Sequence, residues 1–148
     1  MYYLILIIAF LGVILGQVLA WIAWDEVKQY EFIIKSIQML SAISILGLLL
    51  SNTEHYILPL LIFVIWLGLY LYKPVLSYPV LPVFLYFAYQ SNTVAYVASC
   101  IMLYGFAQGS LYAHSLGKKI GCSTLGTLKV ANTHFVFLVV GALLGIIL

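Results

Sequence analysis

The sequence predicts an all-α integral membrane protein, a compact bundle of six transmembrane helices whose fourth span is short and proline-kinked. Three observations carry that expectation. The 148 residues are 66% hydrophobic and only 7% charged, with a mean hydropathy of +1.18. A soluble domain carries about 25% charged residues, so no water-facing surface can be assembled from this set. Apolar runs near the length of about 20 residues that a spanning helix needs recur along the chain, separated by short polar stretches. Finally, all six lysines fall in alternate connections between those runs or within a turn of them.

The first run, residues 2–24, starts without a basic segment and continues apolar to Trp24, which reads as a retained span rather than a cleaved leader. Tyr2 and Tyr3 at one end and Trp21 and Trp24 at the other suit the two interfaces of a bilayer. Gly12, Gly16 and Ala20 recur every fourth residue, a smooth stripe that lets another backbone come close, and Gln17 lies beside it. The charged stretch DEVKQYE follows, with Glu31 and Lys35 in the favourable order for a helical ion pair. The second span is expected over 32–50, with Gln38, Ser41 and Ser44 as its polar residues and the two serines on one face. In the connection 51–55, Asn52 or Thr53 is the expected N-cap of the next helix, with Glu54 in its first turn.

The third span is expected over 56–72 and stops at Lys73–Pro74, because a residue preceding proline is driven out of helical geometry. The stretch 75–90 is short and carries Pro79 and Pro82, so it reads either as a kinked span or as a re-entrant hairpin. Charge placement decides. If it crosses, Lys28, Lys35, Lys73, Lys118, Lys119 and Lys129 all lie on one side, which the positive-inside rule makes cytoplasmic. Both chain ends then face outward, in a multi-pass protein of the cell membrane. The fifth span, 94–112, repeats the small-residue stripe in Gly105, Gly109 and Ala113, with Gln108 beside it. A long loop, 113–129, leads to the sixth span, 130–148, in which Gly141 and Gly145 form a third GxxxG. SNTEHY (51–56) and SNTVAY (91–96) form a faint internal echo at the start of the third and fifth spans.

Chemistry has few places to reside. The chain has no arginine, the side chain best suited to bidentate capture of phosphate or carboxylate, and its net charge of +2 is too small and dispersed for nucleic acid. The Lys-, Ile- and Tyr-rich, arginine-free composition hints at an AT-rich prokaryotic genome. Cys100 and Cys122 have no CxxC spacing, and Asp25 and Glu26 with the histidines lack ligand spacing, so neither a metal nor another cofactor is expected. Signatures of rhomboid proteases, prepilin peptidases, CDP-alcohol enzymes and CAAX proteases are absent.

Two sets of candidate residues remain. In the fifth loop, His114, Lys118, Lys119 and Lys129, with hydroxyls and glycine-exposed N–H groups, form a candidate site for an anionic headgroup or phosphate, against the plainer reading of a solvated topogenic loop. At membrane depth, Gln17, Gln38 and Gln108 with Ser41 and Ser44 act first as interhelical glue and second as the lining of a solute path. The first functional expectation is a non-catalytic membrane component acting through helix packing, its partners being the lipid bilayer, an anionic lipid, and a second copy or another membrane protein. The alternatives are a small transporter or channel for a polar solute, and a lipid-modifying enzyme with a cytoplasmic headgroup site. The threading is testable with single cysteines in a background lacking Cys100 and Cys122. Lys73→Cys and Lys118→Cys should label from the cytoplasmic side and Glu54→Cys from outside; opposite accessibility of 73 and 118 would remove the six-span arrangement.

Overall fold

The computed structural model describes residues 1–52 and 56–147, with the side chain of Lys119 outside that description. The described residues are helical throughout, without a strand. Four helical stretches are long and apolar enough to cross a membrane: Tyr2–Ile22, Glu31–Asn52, Val94–Ser115 and Thr124–Ile147. The apolar helix Ile57–Tyr72 is shorter.

Helix α1 (Tyr2–Ile22) runs parallel to α7 (Val94–Ser115), and this pair forms the centre of the fold. The glycine stripes dictate the contact. A Cβ at Gly12 would collide with the carbonyl of Met102, one at Gly16 with that of Phe106, and one at Gly109 with that of Val13. Only hydrogen fits at these three points, so the backbones meet directly and accumulate dispersion contacts along the stripe. Gly105 lies against Val13 and the Tyr78 hydroxyl. Ser110 fastens the crossing, its hydroxyl 2.9 Å from both the Gly16 carbonyl and the Phe106 carbonyl.

The other elements pack around this pair. After Ala23 a short helix α2 (Trp24–Gln29) lies at the lysine-bearing end, and α3 (Glu31–Asn52) returns along α7. Its buried stripe is Gln38, Ser41, Ala42, Ile45 and Leu49. Ser44 is exposed, which corrects the expectation that it shares the packed face with Ser41. At about 100° per residue it sits a third of a turn from the centre of the stripe. Ser41 donates to the Ile37 carbonyl of its own helix (2.8 Å) rather than across an interface. Asn52 closes α3, its amide donating to the Leu48 carbonyl at 2.8 Å, instead of capping the next helix. The expected roles of Thr53 and Glu54 lie outside the described residues.

Helix α4 (Ile57–Tyr72) ends at Lys73, whose extended backbone (φ −151°, ψ 108°) is the geometry a following proline demands. The stretch read as a fourth span is three pieces in line: α5 (Pro74–Ser77), a 3₁₀ turn Tyr78–Val80, and α6 (Leu81–Gln90). Pro79 and Pro82 remove two N–H donors and crowd the carbonyls one turn earlier, which breaks the α-helical ladder at that point. The run lies antiparallel to α1: Tyr78 reaches the Ala9 carbonyl and the Tyr89 ring stands 5.6 Å from that of Tyr2. It therefore extends from the lysine-bearing end to the opposite one.

The stretch expected as a long loop, 113–129, is largely helical, because two local signals outweigh its polar composition. Gly117, with φ 83°, turns the chain after α7 into α8 (Lys118–Gly121), and the Ser123 hydroxyl accepts from the Gly126 N–H (3.1 Å) to start α9 (Thr124–His134). With α10 (Val136–Ile147) this helix makes the last long apolar stretch, so that stretch begins at Thr124 rather than at 130. On α10, Gly141 lies against Leu6 and Gly145 against Tyr2 and Tyr3, so the third stripe also faces α1.

Inserting a branched side chain where backbone meets backbone forces the helices apart. Gly109→Leu should cost 1–3 kcal/mol or more by overpacking, whereas Gly68→Ala, with nothing within 4 Å of the new carbon, should change stability by at most about 1 kcal/mol in the favourable direction. Thermal unfolding in bicelles separates them; equal melting of Gly109→Leu and wild type would deny the interface.

Candidate functional site

Close packing fills most of the bundle, but a cleft of about 380 Å³ opens at the lysine-bearing end between α3, α7 and the α4–α5 corner. One wall is a single face of α3, with Glu31, Lys35 and Gln38 at i, i+4 and i+7. The other is a face of α7, with Gln108, Leu111, Tyr112 and Ser115 at i, i+3, i+4 and i+7. Tyr70 and Pro74 close the side. At 1.5 Å per residue, Gln38 lies about 10 Å along the helix axis from Glu31, so the cleft deepens from a charged mouth to an amide floor.

The floor is a buried hydrogen-bonded set. Gln38 (0% exposed) donates from Nε2 to Oε1 of Gln108 (2% exposed) at 2.6 Å, and the Tyr70 hydroxyl donates to Gln38 Oε1 at 3.3 Å. Both amide oxygens are thereby engaged, while the Gln108 NH₂ makes no hydrogen bond among the described residues. On a residue that lines the cleft, such a donor can be met by an acceptor there. The mouth carries an ion pair, Lys35 Nζ to Glu31 Oε1 at 2.6 Å, with side chains 52% and 49% exposed. His114 lines the same opening and stacks on Trp24, ring centroids 4.7 Å apart.

Of the residues singled out in the sequence, Gln38, Gln108 and His114 thus meet in one cleft. Gln17 is buried elsewhere, donating to the Gly121 carbonyl (2.8 Å) and accepting from the Thr127 hydroxyl (2.9 Å), so it ties α1 to the α8–α9 corner. The lysines disperse: Lys118 approaches Asp25 (3.8 Å) with both side chains exposed, and Lys129 is exposed on α9. Among the described residues, no three His, Cys, Asp or Glu side chains come together as a metal site.

The sequence did not single out Tyr70, nor the Ser77–Tyr104 pair deeper in the core, and His134, one of the histidines weighed with Asp25 and Glu26, is fully buried there. There Ser77 and Tyr104 share a hydrogen bond of 2.6 Å beside the proline break. His134 Nδ1 lies 2.8 Å from the Val130 carbonyl, which can only accept, so that nitrogen carries the proton. Spacing alone would have revealed the cleft wall, since Glu31, Lys35 and Gln38 stand on one helical face.

No known protein-family model, curated protein or solved structure matches this chain.

The clasp at Gln17 has its own test. Gln17→Leu strands the buried Gly121 carbonyl and should cost about 1–3 kcal/mol, while Thr127→Val removes one of the two bonds and should cost about 0.5–1.5 kcal/mol. Unfolding midpoints in detergent give the comparison; a Gln17→Leu protein as stable as wild type would show that the clasp contributes nothing.

Proposed function

We propose that this chain is a six-span membrane protein that binds a small polar molecule, or the polar head of a larger one, in the lysine-side cleft, as a carrier or receptor rather than an acid–base catalyst. The observation that carries the reading is the buried Gln108, whose NH₂ has no hydrogen-bond partner among the described residues, lining a cavity large enough for a ligand. The six-span arrangement draws support from the run Pro74–Gln90, which extends from beside Lys73 to Tyr2. The carrier reading draws support from the cleft's content, in which two amides and a phenol at the floor suit recognition by hydrogen bonding.

Action through helix packing alone is the less supported alternative. Gly12, Gly16 and Gly109 lie against backbone of the same chain, and Gly141 and Gly145 against its α1 side chains. The stripes that suggested a second copy or another membrane protein are therefore used within one chain.

Native mass spectrometry of the protein purified in its own lipids tests the proposal. A bound mass should be retained by wild type and by Ser44→Ala, a change at an exposed site outside the cleft, and lost from a folded Gln108→Leu protein. Loss of one floor hydrogen bond in an enclosed site should weaken affinity about tenfold or more. Equal retention by all three proteins would refute binding in the cleft.

A further inference from the structure

The two ends of the cleft ask for different things of a ligand. The floor offers N–H donors, with the amide oxygens of Gln38 and Gln108 already accepting. The free donor of Gln108 favours an inward-facing group that brings acceptor oxygens. The mouth offers one ammonium and one carboxylate, Lys35 and Glu31, which occupy each other on a helix surface about half exposed to the surroundings. Such i, i+4 pairs are weakly held, so opening this one costs little if both charges find new partners.

That condition selects among charge types. A simple anion would gain Lys35 and the Gln108 donors but strand Glu31 beside it. A simple cation would gain Glu31, strand Lys35, and present nothing to the floor. A ligand bearing both charges satisfies both ions and the floor donor: its anionic oxygens reach Gln108 Nε2 and Lys35, and its cation takes Glu31, beside the His114 ring stacked on Trp24. Net charge in the cleft is then unchanged on binding, which avoids leaving an uncompensated ion near the bilayer core.

We propose that the cleft is a site for a zwitterionic group, anionic oxygens inward and cation at the mouth. The proposal rests on the reading of the cleft as a binding site. A zwitterion of this kind is supplied either by a free solute or by the headgroup of a zwitterionic lipid, and the volume of about 380 Å³ suits either.

The protein is reconstituted in nanodiscs of phosphatidylglycerol alone and titrated calorimetrically with glycerophosphoethanolamine, glycerol phosphate and ethanolamine. In parallel, discs containing phosphatidylethanolamine are read by native mass spectrometry for retained lipid. The expected result is that the zwitterionic form, free or lipid-borne, is held at least tenfold more tightly than either half. Glu31→Gln and Lys35→Gln should each erase that preference, and Gln108→Leu should abolish binding. Capture of the free diester identifies a solute site, and capture of the lipid alone a headgroup site; either supports the proposal. If glycerol phosphate binds as tightly as the zwitterion, is lost in Gln108→Leu and is held no less tightly by Glu31→Gln, the cleft is an anion site: the binding reading stands and the zwitterion proposal falls. If no probe binds, or if binding is indifferent to Gln108→Leu, both fall. The charge variants alter exposed side chains, so unfolding midpoints matching wild type should accompany them.

Discussion

The direct contact of two backbones, α1 on α7, is the constraint from which the rest of this structure follows. Helices this apolar on all sides find their partners through dispersion contact and through hydrogen bonds between helices. Gly12, Gly16 and Gly109 supply the first by leaving nothing between the chains, and Ser110 supplies the second by reaching the Gly16 carbonyl. With that pair set, α10 seats its own glycines on α1, and α6 and α3 take flanking positions against α10 and α7. The same closeness leaves little free volume at the centre, which is why the cleft lies to one side, where α3 and α7 part toward the lysine-bearing end.

The polar residues divide between two tasks according to what surrounds them. Gln17, Ser110 and the Ser77–Tyr104 pair have their hydrogen bonds closed by neighbours and serve to join elements. Gln108 differs because one of its ends is closed and the other is not. A donor left open on the wall of a cleft can be met by an acceptor that enters it. The charged residues follow a similar division, with Lys118 and Asp25 left at the surface and Lys35 and Glu31 held at the opening of an enclosed volume.

Much of this was legible in the residues, and the parts that were not have identifiable causes. Small residues at every fourth position point to close contact, and hydropathy marks the long apolar helices, because both signals are set locally by helix period and side-chain size. Ser44 departs from its expected face because three positions along a helix overshoot a narrow buried stripe when the partner lies on the other side of Ser41. The stretch 113–129 reads as a loop by its polar composition, but a left-handed Gly117 and a Ser123 cap start helices within it. The cleft itself joins residues seventy positions apart, Gln38 and Gln108. Which glutamine faces which is decided by the antiparallel register of α3 and α7, and no local pattern encodes that register.

The parallel pairing of α1 with α7 carries a consequence for biogenesis. Gly12 meets Met102 and Gly16 meets Phe106, so the partner of the first helix is made about 90 residues after it. At a synthesis rate of about 5–20 residues per second, that gap is roughly 5–20 seconds. Throughout it α1 has its smoothest face uncovered and open to passing helices, including those of unrelated chains. The central pairing is therefore completed only when the later helix arrives, with α1 among the last elements to reach its final neighbours.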